Sequence, residues 1–186
     1  MMKEFAVTSR LSTVDPTNSS GKVQELFGAI KSKFGKVPNM MKTMAHSPAL
    51  LEGYLAFNGA LQNGELAPAV REQIALAVSQ VNQCEYCLSA HSLLAKLAGL
   101  NPDQIIAARQ GKSQDPKVQA VLTLALNVVE RRGNVSDDQL NDARHSGLSD
   151  SEIAEVIGHV AVTNLTNYFN QLSQTEVDFP KVPLSL

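Results

Sequence analysis

Apolar positions recur along the chain at three-and-four spacing, the period of helices that bury one face. Residues 116–132 show it most clearly, where Val118, Val121, Leu122, Ala125 and Val128, with Val129 beside it, form one stripe. Alternating strand patterns with β-branched runs are absent from the sequence. The punctuation between stripes is regular. Pro16, Pro38, Pro48, Pro68, Pro102 and Pro116 stand just before or at the start of apolar-periodic stretches, where the N–H that proline lacks would have been unpaired anyway. Gly35, Gly64, Gly99, Gly111, Gly133 and Gly147 follow such stretches, as helix-ending glycines do. Ser149 with Glu152, and Ser136 with Gln139, have the spacing of a capping box.

These marks predict helices near 19–34, 38–45, 48–63, 67–81, 84–98, 102–110, 116–132, 136–145 and 149–172. The expected fold class is all-α, a compact bundle built from helical hairpins. Residues 1–18 read as an irregular N-terminal arm, 19–173 as one all-α domain and 174–186 as an extended tail. Pro180 and Pro183 mark that tail, which is expected to lie against the body or a neighbouring subunit. A faint echo links Leu55-Ala-Phe-Asn58 followed by Gly64 to Leu124-Ala-Leu-Asn127 followed by Gly133. Two similar helical hairpins would produce it, and so would chance.

A length of 186 residues, 44% of them hydrophobic, suits about one domain with a real core. Lys and Arg total 16 against 18 Asp and Glu, a formal net charge of -2. With no basic stripe, neither nucleic acid nor an anionic membrane is an expected partner. No apolar run approaches the ~18 residues of a membrane span, and the start, MMKEFAVTSR, lacks the apolar stretch of a signal peptide. A soluble, cytoplasmic chain is expected. There the 2 cysteines, Cys84 and Cys87, cannot form a secreted disulfide framework and point to redox or metal chemistry.

Cys84, Cys87 and His91 fall in a wedge of about 60° on one helix face. The thiols sit in the first turn, where unpaired backbone N–H groups and the positive dipole end favour a thiolate. His91 is one turn beyond Cys87, close enough to take its proton. If the chain reverses near Asn82-Gln83, Glu72 on the preceding helix faces His91, orients its imidazole and raises its basicity. Other readings stand beside this one. A helical Cys-x-x-Cys can be two small buried hydrophobes, and a zinc site on Cys84, Cys87, His91 and Glu72 has a plausible ligand count but no second Cys/His pair. A thioredoxin-like site would need a preceding strand, and a c-type haem is excluded because Leu88 follows Cys87.

Glu72, eleven residues, Cys84-x-x-Cys87, three residues, His91 resembles the core motif of the alkylhydroperoxidase D (AhpD)-like branch of the carboxymuconolactone decarboxylase family. Phe34-Gly-Lys-Val-Pro-Asn39, Ser47-Pro-Ala-Leu50, Asn167-Tyr-Phe-Asn170 and Thr175-Glu-Val-Asp-Phe-Pro180 resemble segments of its peroxidase-related members. The resemblance implies an all-α fold assembled as trimers or hexamers, and a thiol peroxidase using no cofactor and no metal. It implies Cys87 as the peroxidatic thiol, Cys84 as the resolving thiol and Glu72 with His91 as the proton relay. The implied partners are a hydroperoxide substrate and an external dithiol reductant protein. The best-characterised members carry histidine immediately before the second cysteine, where this chain has Tyr86. A lactone decarboxylase, for which Arg71 is the nearest cation, and a non-catalytic redox-responsive oligomer are the alternatives.

Outside the motif, His159 lies in an otherwise apolar helix and reads as a core histidine or a pocket residue. Asn164, Asn167 and Asn170 repeat every three residues, a spacing that turns amides towards a pocket or towards helix ends. Tyr86, His159 and Asn164 are therefore the candidate pocket residues. Met40, Met41 and Met44 read as core or subunit contacts.

Overall fold

A computed structural model describes residues 9–186. The expected MMKEFAVTSR start thus lies mostly outside the described residues, as does most of the arm before Pro16. Helices follow in the order α1 (Gly21–Phe34), α2 (Asn39–Met44), α3 (Pro48–Leu61), α4 (Pro68–Val81), α5 (Glu85–Leu97), α6 (Pro102–Arg109), α7 (Pro116–Glu130), α8 (Asp137–His145) and α9 (Asp150–Ser173). No strand occurs among the described residues. The fold is all-α. A short 3-10 turn, Pro16–Asn18, stands inside the predicted arm, with Asp15 accepting from the N–H of Thr17.

Local sequence explains the ends of these helices. Pro48, Pro68, Pro102 and Pro116 open α3, α4, α6 and α7. Both predicted capping boxes form, and Asn101 with Gln104 makes a third at the start of α6. Gly64 has a different reason from the expected one, because its φ is not left-handed. It makes room for Glu155, whose carboxylate accepts from the N–H groups of Glu65 at 2.7 Å and Leu66 at 2.9 Å. Gly133, by contrast, has φ 85°, so the two halves of the sequence echo end differently.

Helix α4 is the axis of the molecule and packs against α5, α6, α7 and α9. Every residue from Gln73 to Ser79 is buried, as a helix that is apolar nearly all round requires. One core cluster joins α4 to α7, α8 and α9 through Ile74, Val78, Leu122, Ala143 and Val156. A second gathers α1, α2 and the start of α3 around Cys84, Tyr86 and Cys87. Met40, Met41 and Met44 are buried in it. A third joins Leu76 and Leu88 to α6. No helix of the described residues is long and apolar enough to cross a membrane.

The tail lies against the body. Asp178 is held by Tyr86, Lys36 and the N–H of Asn39, and the N–H of Val182 donates to Ser89 Oγ at 3.0 Å. Further along, Arg109 Nη2 donates to the carbonyl of Pro183 at 2.7 Å. Val177 and Phe179 pack on the cysteine cluster.

Candidate active site

A tight α4–α5 hairpin builds the site. Asn82 caps α4, Gln83 takes the left-handed conformation at φ 56°, and the N–H of Cys84 returns to the carbonyl of Ser79 at 3.0 Å. Cys84 is the N-cap of α5, and its sulfur accepts from the N–H of Cys87 at 3.4 Å. With the reversal at this point, Glu72 and His91 stand opposite each other. Glu72 Oε2 lies 2.7 Å from His91 Nδ1, so the carboxylate fixes which ring nitrogen faces it.

Both cysteines are free and buried, each 2% exposed. Asn170 of α9 donates its side-chain N–H to Cys87 Sγ at 3.3 Å and to Met40 Sδ at 3.2 Å. The Cys87 thiol donates to Thr166 Oγ1 at 3.8 Å, and Thr166 in turn donates to the carbonyl of Thr163 at 2.9 Å. Burial alone would raise the Cys87 thiol. Hydrogen bonding from Cys84, the positive charge of His91 and the amides of Asn170 and Asn167 outweigh it and bring Cys87 down to about 6. Cys84 moves the other way, held protonated by its hydrogen bond to Cys87, by burial and by the neighbouring thiolate charge. For His91, burial opposes the imidazolium, but the charge and hydrogen bond of Glu72, with the charge of Cys87, raise it above the usual histidine value.

A cavity of about 50 Å³ adjoins this pair. Tyr54, Asn58 and Gln62 of α3, Arg71 and Glu72 of α4, and His91 of α5 line one side. His159, Thr163 and Thr166 of α9 line the other. The space admits a few water-sized groups but not a whole ligand of several hundred cubic ångströms. His159 Nε2 is buried without a hydrogen-bond partner among the described residues. Burial, with the charge of Arg71, holds that ring below the usual histidine value and so neutral.

Of the residues the sequence singled out, Glu72, Cys84, Cys87 and His91 come together, and His159 lines the cavity. Tyr86 and Asn164 do not line it. The Tyr86 hydroxyl donates to Asp178 Oδ1 at 2.9 Å and accepts from the N–H of Met40 at 3.1 Å, which turns the ring towards the tail and against Phe179. Asn164 Oδ1 accepts from Asn82 at 2.7 Å, in an amide cluster that includes Asn167 and Ser79. Among the described residues, no three His, Cys, Asp or Glu side chains are placed to hold a metal ion together.

The sequence reading missed Thr166 and gave Asn170 no thiol to bond. A signal for both was present. His159, Thr163, Thr166, Asn170 and Ser173 repeat at intervals of four and three and are all buried. A polar stripe on the buried face of an apolar helix points at something it must bond.

Residues 48–113 match the carboxymuconolactone decarboxylase family model. The match covers about a third of the chain. The family segment spans α3 to the end of α6 and holds Glu72, both cysteines and His91, while Thr166, Asn170 and the tail lie beyond it. An alkyl hydroperoxide reductase of Mycobacterium tuberculosis (strain ATCC 25618 / H37Rv) is 25% identical over 92 residues, 49% of this chain and 27% of that protein. The aligned stretch is thus about a quarter of that relative's length. The crystal structure of a peroxidase-related protein from Ralstonia eutropha JMP134, with an alkylhydroperoxidase AhpD core, superposes with TM-score 0.82 at 25% identity. That match covers 91% of this chain and 92% of the other. A debrominase crystallised with 2,3,4-tribromopyrrole shares the fold at TM-score 0.78 and 16% identity, over 92% of this chain and 93% of its own.

Proposed function

We propose that the protein is a thiol-dependent peroxidase that reduces hydroperoxides through Cys87 and Cys84, with Glu72 and His91 moving the proton. The observation that carries this reading is a buried Cys87 thiol held acidic beside a histidine that a carboxylate orients at 2.7 Å. The Cys87 thiolate attacks the terminal oxygen of the hydroperoxide, the S–O bond forms and the O–O bond breaks. Sulfur is oxidised by two electrons to a sulfenic acid, and the departing alkoxide takes the proton of the His91 imidazolium. Cys84 then displaces the sulfenic hydroxyl as water and closes a disulfide, which an external dithiol protein reopens by exchange. The likeness to the peroxidase-related structure and to the alkyl hydroperoxide reductase supports this choice within the family.

Assembly with copies of itself, as a trimer or hexamer, is part of the proposal. Its support is the outer face of α9, where Ile157, Leu165, Tyr168 and Leu172 are exposed on one stripe. A lactone decarboxylase is the second reading, favoured by Arg71 on the cavity wall. Steady-state consumption of tert-butyl hydroperoxide with dithiothreitol separates them. The peroxidase turns over, and both Cys87→Ser and Cys84→Ser stop the cycle. A decarboxylase would consume no peroxide and would retain its activity in Cys84→Ser.

A further inference from the structure

Cys87 is not itself a wall of the cavity that reaches His91. Thr166 is a wall of that cavity, and its Oγ1 lies 3.8 Å from Cys87 Sγ. A small molecule in the cavity therefore meets the Thr166 hydroxyl on its way to the sulfur. In this state the hydroxyl donates to the carbonyl of Thr163 at 2.9 Å and accepts a hydrogen bond from the Cys87 thiol. That carbonyl lies within α9, whose own ladder supplies it an N–H from the next turn, so the hydroxyl can leave it at small cost. A threonine hydroxyl has one proton and two lone pairs and turns freely about its C–O bond.

Resting on the peroxidase reading, we propose that Thr166 is a further positioning residue of the reaction. When Cys87 ionises, the Thr166 hydroxyl turns from the Thr163 carbonyl, donates to the thiolate, and accepts the O–H of the incoming hydroperoxide. The terminal peroxide oxygen is thereby set beside the sulfur that attacks it. In the step that follows, the sulfur forms the S–O bond and loses two electrons to the O–O bond, which breaks. The hydroperoxide's terminal O–H stays on the new sulfenic acid, and the alkoxide leaves with the His91 proton. Thr166 gives up no proton. Its part is geometry and one charge-assisted hydrogen bond.

The titratable groups that influence Cys87 are Cys84 at the N-cap of α5, Tyr86 and His91 on α5 and Tyr54 on α3, with Glu72 of α4 acting through His91. From α9 it receives the uncharged Thr166 and the amides of Asn167 and Asn170, with the neutral His159 across the cavity. Replacing Thr166 therefore removes a hydrogen bond without changing any charge.

The test compares wild type with Thr166→Val, which keeps the shape, and Thr166→Ser, which keeps the hydroxyl. Two rates are read, with folding checked by circular dichroism. One is iodoacetamide alkylation of Cys87 against pH, located by mass spectrometry. The other is kcat/KM for tert-butyl hydroperoxide. Thr166→Val is expected to move the alkylation profile to higher pH and to lower kcat/KM by about ten- to hundredfold, mostly in kcat. Thr166→Ser is expected to stay within about threefold of wild type. The proposal is overturned if Thr166→Val keeps the wild-type profile, or if Thr166→Ser is as impaired as Thr166→Val, which would assign the effect to packing of the methyl group. Should Thr166→Val fail to fold, Thr166→Ala against Thr166→Ser makes the same comparison. A wild type that alkylates normally but consumes no peroxide refutes the peroxidase reading, and the alkylation arm then decides the Thr166–thiolate bond by itself.

Discussion

Asn170 donates its side-chain amide to Cys87 Sγ at 3.3 Å, while its own Oδ1 is buried with no hydrogen-bond partner among the described residues. The amide is thus turned to serve the sulfur at the expense of its oxygen. An unpaired buried acceptor costs about 1–3 kcal/mol, a cost the structure bears at the point where a thiolate needs a donor.

Asn170→Ala removes that donor, and a hydrogen bond to a charged group contributes about 1.5–3 kcal/mol. The Cys87 thiol therefore rises from about 6. Alkylation of Cys87 by iodoacetamide at pH 7 is expected to slow by about two- to fifteenfold. At pH 9.5, where both forms are ionised, the rates converge. An unchanged rate at pH 7 would show that the amide does not hold the charge.

Under the proposed peroxidase reaction, the pH profile follows from two shifted groups. Activity rises with pH as Cys87 ionises near about 6. It falls again as His91, raised above the usual histidine value, loses the proton it must deliver. Glu72→Gln removes the charge that favours the imidazolium, so His91 becomes easier to deprotonate and the falling limb moves to lower pH. Loss of the His91 charge also moves the rising limb to higher pH, since that charge favours the thiolate. The bell narrows from both sides, and the peak rate falls by about ten- to hundredfold. Initial rates between pH 5 and 9 check each limb.

The sign for stability follows the same values. The Cys87 pKa is lowered on folding, so its contribution is fully present above the unfolded thiol value of 9.0 and is lost as pH falls through about 6.

Tyr86→Phe takes a partner from the N–H of Met40 and from Asp178 Oδ1. The first is buried, so the substitution is expected to cost about 1–3 kcal/mol in urea unfolding. It also loosens residues 174–186. Tryptic cleavage after Lys181, an exposed residue of the tail, is expected to speed up in the variant. Cleavage at the wild-type rate would mean that Arg109 and Ser89 hold the tail without Tyr86.

Gly64→Ala places a Cβ against the Glu155 carboxylate. Moving that carboxylate removes the acceptor for the N–H groups of Glu65 and Leu66. A loss of about 1 kcal/mol is expected, measured as a lower midpoint in urea. In a Glu155→Ala background the same substitution costs nothing further, because the clash and the cap have both gone.

The helices were legible because their signals are local. Prolines at first turns, Ser136 and Ser149 as caps, and three-and-four apolar spacing act within a few residues. One helix end differs from the prediction because a residue other than glycine takes the left-handed turn. Thus α7 stops at Glu130, because Arg132 has φ 54° ahead of Gly133. The Glu72–His91 contact was legible for a related reason, since a hairpin near Asn82 fixes which residues of α4 and α5 meet. Thr166, Asn170 and Asp178 are 79, 83 and 92 residues from their partners Cys87, Cys87 and Tyr86. No local period encodes such contacts. Only the run of buried polar residues on α9 hinted at them, and Tyr86 read as a pocket residue because its partner lay in the tail.

The central claim is that Cys87 is the sulfur that meets the peroxide. Its most direct test is to add one equivalent of tert-butyl hydroperoxide to reduced Cys84→Ser and to Cys87→Ser in the presence of dimedone, and to locate the adduct by peptide mass spectrometry. Cys84→Ser is expected to carry a dimedone-trapped sulfenic acid on Cys87, and Cys87→Ser no adduct at all. An adduct on Cys84 in Cys87→Ser at the same rate, or no oxidation of Cys87 in Cys84→Ser, would contradict it.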